Sequence, residues 1–338
     1  MSVTDAGSAA ECRFDLLGIG NAIIDVLAPV EPDFLTEHDM IPGSMMLIDA
    51  DSAEKLYGLV RREREMGGGS AANTCVVAAS LGARVAYLGK VADDAPGRTF
   101  AADLQRSGVH FPSSFLDGRA AREQPTARCL VMVTPDGQRT MNTYLGACVT
   151  FGPEDVLADV VADARVTYLE GYLFDPPHAQ EAFRQAAALA HGAGRRVALS
   201  LSDPFCVARH RDAFRDLVRG HIDILFANEE EICSLYQTED FTTAMNQAAA
   251  DTHFAVLTRS GLGSVIMRGD ERIDVAPVAT QVIDTTGAGD AYAAGFLAGW
   301  TSGRTLAECG RLGSVAASEI ISHYGARPLV NLQQDMDL

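Results

Sequence analysis

Lysine is almost missing from this 338-residue chain: Lys55 and Lys90 are the only two, and every other basic residue is arginine. A Walker-type phosphate loop ends in Gly-Lys-Ser/Thr. Gly89-Lys90 runs on into Val91, so any handling of ATP proceeds without such a loop. Positive charge is short overall, with 27 Lys+Arg against 45 Asp+Glu and a formal net charge of −18. Nucleic acid and anionic membrane both demand a basic footprint, so neither is expected as a partner. The seven cysteines are odd in number and form no CxxC pair or Cys/His group at metal spacing. They read as reduced thiols of a cytoplasmic protein. No apolar run approaches the 18 residues that span a bilayer. Residues 1–11 lack the basic start and apolar core of a signal peptide and read as a flexible tail. What remains, 47% hydrophobic and 21% charged, is the composition of a globular enzyme with one large domain and room for an appendage.

Short apolar runs alternate with Ala-rich helical stretches. The run over 14–28 reads as a strand that crosses the core and continues outward, and further strands are expected over 84–89, 166–170, 196–200, 222–227, 254–258 and 264–268. Helices are expected over 71–81, 97–107, 177–192, 209–219, from 234 onward and over 291–299. This alternation predicts a three-layer α/β/α domain around a mostly parallel sheet. Two stretches break the pattern: a hairpin signal over 130–142 turning at Pro135-Asp136-Gly137, and extended pieces over 23–49. They predict a small β lid from about 22–50 and 120–147, inserted in a single domain over 12–330.

The strongest local signal is Asp284-Thr-Thr-Gly-Ala-Gly-Asp290, a glycine turn running into an apolar helix. Unpaired N–H groups and the helix dipole make such a start an anion site, and a carboxylate there suits a base that takes a proton from a hydroxyl. Taken in isolation, Asp290 reads first as an acidic residue that stabilises a helix start after a glycine turn. Gly67-Gly68-Gly69-Ser70 opens a second helix carrying Asn73; it suits close approach to a ligand, or a plain turn with Ser70 as cap. Asp25, in an apolar strand, needs solvent at an edge or donors such as a sugar diol. Asn228-Glu229-Glu230-Glu231 reads as a capping box, compatible with carboxylates near hydrated Mg²⁺. Gly18-Ile-Gly20 lacks the third glycine and the following helix of a dinucleotide fingerprint, which argues against a dehydrogenase reading. Gly-x-Ser-x-Gly and His-Glu-x-x-His are both absent, leaving hydrolase readings without support.

Gly67-Gly-Gly-Ser-Ala-Ala-Asn73 and Asp284-Thr-Thr-Gly-Ala-Gly-Asp290 resemble the two signatures of the PfkB (ribokinase-like) sugar and nucleoside kinases. Gly20-Asn21-Ala-Ile-Ile-Asp25, Pro42–Asp49, Gln138-Arg139 and Phe226–Glu231 are most similar to the adenosine kinase branch. The resemblance implies ATP and Mg²⁺ as co-substrate and metal, a nucleoside or sugar acceptor, and a monomer or homodimer. It implies Asp290 as base, the N–H groups of Gly287, Ala288 and Gly289 as anion hole, and Arg139 as a lid arginine for the transferring phosphoryl group. Asp25, with Gly68, Gly69, Asn73 and Asn21, would hold the acceptor, and Ile23, Leu47, Cys129, Leu145 and Tyr172 would line a purine pocket. Asn228, Glu231, Thr258, Gly261, Gly263 and Thr286 would face ATP, with Glu231 meeting Mg²⁺ through water. Asp284 and Thr286 would border a K⁺ site. One departure is Thr258-Arg-Ser-Gly-Leu-Gly263, where Ser260 replaces the first glycine of the family's Thr-x-Gly-x-x-Gly loop.

Overall fold

The computed structural model describes residues 12–335. The chain opens with β1 (Phe14–Ile19), β2 (Ile23–Pro29), α1 (Pro32–Glu37), β3 (Met45–Leu47), α2 (Ala50–Leu59), β4 (Arg64–Gly68) and α3 (Ser70–Ser80). It continues through β5 (Val85–Leu88), α4 (Ala95–Arg106), β6 (Val109–His110), α5 (Gly118–Glu123) and the hairpin β7 (Ala127–Val133) and β8 (Arg139–Tyr144). Then follow α6 (Ala158–Ala162), β9 (Ala164–Glu170), α7 (Pro177–Gly192), β10 (Arg196–Ser200), α8 (Pro204–Arg209), α9 (Arg211–His221), β11 (Ile224–Asn228), α10 (Glu229–Tyr236) and α11 (Phe241–Asp251). The antiparallel edge β12 (Phe254–Thr258), β13 (Ser264–Arg268) and β14 (Glu271–Val275) precedes α12 (Ala288–Thr301) and α13 (Leu306–Ile320).

Nine strands form one sheet in the order β14-β13-β12-β11-β10-β9-β1-β5-β6, parallel from β12 through β6. Successive residues of its strands go to opposite faces. Leu16, Val85, Tyr87 and Ala198 pack with α3, α4, α12 and α13, whereas Leu17, Ala86, Leu88 and Leu199 pack with α7 to α11. Burial on both faces explains why these strands read as unbroken apolar runs. The strand order reverses between β1 and β9, and in such sheets ligands bind outside the carboxyl ends at that reversal.

The run over 14–28 is two strands rather than one. β1 belongs to the large sheet, and after Gly20-Asn21-Ala22 the chain enters a second sheet ordered β3-β8-β7-β2-β4. That sheet recruits β4, beyond the stretch ending at residue 50, and the piece over 23–49 contains α1, begun by Pro32 at its first turn. The helix expected from 234 onward is two, divided where Gln237 turns left-handed at φ 53°. Among the described residues no helix is long and apolar enough to cross a membrane.

Candidate active site

Asp290 lies in the first turn of α12, which the left-handed Gly287 (φ 78°) opens. Its carboxylate accepts from Ser70 Oγ at 2.6 Å and Asn73 Nδ2 at 3.4 Å, so the triglycine turn and the α12 start meet at one point. Among the described residues the N–H groups of Gly287, Gly289 and Asp290 have no hydrogen-bond acceptor. The Ala288 N–H, expected in the anion hole, donates instead to Thr285 O at 3.2 Å. The free donors therefore include the N–H of Asp290 itself, which the motif alone did not single out. The buried Asn73 Oδ1 is also without a donor, an acceptor waiting for a hydroxyl.

Asp25 stands on β2, facing this turn. Gly68 is needed beside it, since a Cβ there would stand 2.3 Å from a carboxylate oxygen. Strand register places Met66, Asp25, Cys129, Thr143 and Leu47 in one row across β4, β2, β7, β8 and β3. Side chains opposite one another on adjacent strands share a face, so the row is one apolar shelf interrupted by the Asp25 carboxylate. Its other polar member, Thr143, points its hydroxyl at Cys129 Sγ, 3.3 Å away. Met66 and Thr143 join the expected Leu47 and Cys129, a grouping visible only once register is known. Ile23 and Leu145 are half-buried, and Tyr172 follows β9, 40% exposed. Among the described residues the Asp25 carboxylate accepts no hydrogen bond and is free for a ligand. Asn21, expected among the ligand contacts, is turned inward: its amide and its backbone N–H both donate to Glu170. Glu170, at the end of β9, also accepts from Ala71 N at 2.7 Å. That buried carboxylate ties the passage between the sheets to the start of α3, and the sequence reading missed it.

On the other side of the reversal, β11 and β12 bring Asn228 level with Thr258. Asn228 and Glu231 close a reciprocal capping box, with Asn228 N–H on Glu231 Oε2 at 2.9 Å and Asn228 Nδ2 on Oε1 at 2.7 Å. Thr258 leads into the turn Ser260–Leu262, which contains Gly261 and ends at Gly263. Ser260, standing where the family has glycine, is left-handed at φ 48°, which costs a residue with a side chain about 1 kcal/mol. Ser260→Gly should stabilise the fold by about 0.5–1 kcal/mol. Urea denaturation reads this, and a lowered midpoint would contradict it.

Arg139 reaches from β8 to the turn before α12. Its Nη2 is 2.6 Å from Asp284 Oδ2, and its Nη1 donates to Thr286 Oγ1 at 3.3 Å. Asp284 also accepts from Thr286 and from Gly325 N–H. The carboxylate expected at a K⁺ site thus carries a guanidinium. Among the described residues no three His, Cys, Asp or Glu side chains gather at metal spacing.

Burial raises four carboxylates at this cleft. Asp25 and Asp290 are pushed up to about 6, Glu170 and Glu231 to about 7. Hydrogen bonds from Ser70 and Asn73 pull Asp290 back down, as Arg327 does for both aspartates. The folded state therefore holds these protons more tightly than the unfolded chain, where carboxylates titrate near about 4. Their penalty grows as pH rises from about 4 and is complete above about 7. Thermal unfolding at pH 6 should accordingly occur at a higher temperature than at pH 8; the reverse order would remove these groups as the dominant titration.

A helix start with free N–H groups, a carboxylate upon it, and a second, partly apolar sheet facing both define the class of ribokinase-like phosphotransferases. A family model described as pfkB family carbohydrate kinase matches residues 40–332. An adenosine kinase of Sinorhizobium meliloti has a crystal structure with a TM-score of 0.87 and 53% identity, covering 95% of this chain and 98% of that one. An uncharacterized sugar kinase of Archaeoglobus fulgidus is 31% identical over 252 residues, 73% of this chain and 95% of its own. Adenosine kinase 1 of Arabidopsis thaliana is 25% identical over 345 residues, 94% of this chain and 97% of its own. The chain belongs to the PfkB family. It is a kinase that transfers a phosphoryl group from ATP to a hydroxyl of a nucleoside or sugar.

Proposed function

We propose that the acceptor is adenosine, phosphorylated at its 5′-hydroxyl. The observation that carries this is the shelf beside Asp25: Met66, Cys129 and Leu47 extend its row, with Ile23 and Leu145 nearby. A purine ring gains by covering apolar surface of this kind. A free sugar needs polar partners around its whole rim, because each unpaired hydroxyl costs free energy on burial. The 53% identity with an adenosine kinase supports the same reading.

In this reading Asp25 accepts hydrogen bonds from the ribose diol, which aims the 5′-oxygen at Asp290. Asp290 takes the hydroxyl proton as O5′ bonds to the γ-phosphorus and the bond to the bridging oxygen of ADP breaks. Charge developing on the γ-phosphoryl oxygens meets the N–H groups of Gly287, Gly289 and Asp290. Arg139 exchanges Asp284 for the phosphoryl group as the second sheet closes like a lid. Both oxygens of Glu231 already accept from Asn228, which suits Mg²⁺ in one form: Glu231, with Asn228, would hold the ion through its waters. Bound there, the ion would neutralise charge on the β- and γ-phosphates.

Initial-rate assays with ATP and Mg²⁺ against adenosine, inosine, guanosine, ribose and fructose test the assignment. Adenosine should give the highest kcat/KM, and ribose or fructose should be turned over at least about 10²-fold less efficiently. A free sugar ranking first would overturn the purine reading and leave the kinase.

A further inference from the structure

Asp25 and Asp290 both sit where burial opposes their charge, and among the described residues no cation pairs with either one. Asp290 has Ser70 and Asn73 for partners, and Asp25 has none among the described residues. One arginine nevertheless stands behind both. Arg327 follows α13, with only 13% of its side chain exposed. Its Nη2 donates to Gly67 O at 2.9 Å, at the end of β4, and lies 3.8 Å from the Asp103 carboxylate on α4. Among the described residues its Nε and Nη1 have no acceptor. A buried guanidinium with two idle donors and one distant counterion is costly to fold. Such an arrangement makes physical sense where the field of the charge is used. The groups whose charge acts on it are Asp103 from α4, Asp25 from β2, Cys75 from α3 and Tyr87 from β5. Its charge also reaches Asp290 from α12. Arg139 adds to it at Asp25, and Asp290 opposes it there.

We propose that Arg327 is a positioning residue for phosphoryl transfer: it anchors the Gly67 carbonyl, and with it the Gly68 backbone against Asp25, and it supplies the positive charge behind the two working carboxylates. The proposal rests on the reading of Asp290 as base and Asp25 as the diol acceptor. Asp290 must be ionised to take a proton, and the charge of Arg327 favours that form there.

The test is the pH dependence of kcat/KM between pH 5.5 and 9 in the wild type, Arg327→Met and Arg327→Lys. The wild-type acid limb should fall near the Asp290 value of about 6. In Arg327→Met the limb should move to higher pH, so that the loss at pH 6.5 exceeds the loss at pH 9 by about tenfold. Arg327→Lys, which keeps the charge, should bring the limb back toward wild type. An arginine that only braces the turn would lower kcat/KM by the same factor at every pH, and an unmoved limb overturns the proposal. If Arg327→Met does not fold, Arg327→Gln carries the test, since it keeps an N–H donor for the Gly67 carbonyl and loses the charge. Its limb must move to higher pH; one that stays put overturns the proposal equally. Wild-type protein with no transferase activity would refute the underlying reading instead, which separates the two failures.

Discussion

Asp290→Asn lowers kcat by about 10³-fold or more, leaving adenosine affinity within a few-fold of wild type. The substitution keeps the shape of a side chain that Ser70 Oγ and Asn73 Nδ2 already hold in place, and removes its capacity to accept a proton. On the proposed reading the N–H groups of Gly287 and Gly289 would still receive the phosphoryl charge, so part of the catalysis would survive. Folding is not at risk, since burial disfavours the Asp290 charge. Single-turnover rates together with calorimetric adenosine binding separate the two effects. A variant that retains kcat within tenfold would dismiss Asp290 as the base.

The second large effect belongs to Asp25. Asp25→Ala should cost about 10³-fold in kcat/KM for adenosine, the scale expected when two hydrogen bonds to a charged acceptor are lost. Wild type should lose a similar factor on 2′,3′-dideoxyadenosine, which lacks the same bonds from the other side. Combining variant and analogue should add little to either change, since both remove one interaction. Kinetics on the four combinations decide the matter. If Asp25→Ala still prefers adenosine over the dideoxy analogue by the wild-type ratio, the diol binds elsewhere.

Much of this was readable beforehand, for a physical reason. Strands buried on both faces must be continuous apolar runs, so β5, β9, β10, β12 and β13 announced themselves. β4 did not, because Arg64-Glu65-Met66 is an exposed edge piece with no alternating pattern. α13 was missed among small residues, although Thr305 and Glu308 form a capping box at its start. Of the site, Asp290 and the glycine turns were legible because helix starts carry local signatures. The inward turn of Asn21 has no local signature, its partner Glu170 being 149 residues away. The shelf of Met66, Cys129, Thr143 and Leu47 depends on strand register, which a one-residue slip would destroy. Arg327 had no signature, since its meaning lies in the Gly67 carbonyl and the carboxylates around it.

Adenosine phosphorylation itself is tested most directly by following products from adenosine, ATP and Mg²⁺ by phosphorus NMR. The account predicts one AMP, phosphorylated on O5′, for each ADP formed, with ADP production negligible when adenosine is omitted. ADP appearing at the same rate without adenosine, or no phosphorylated nucleoside at all, would contradict it.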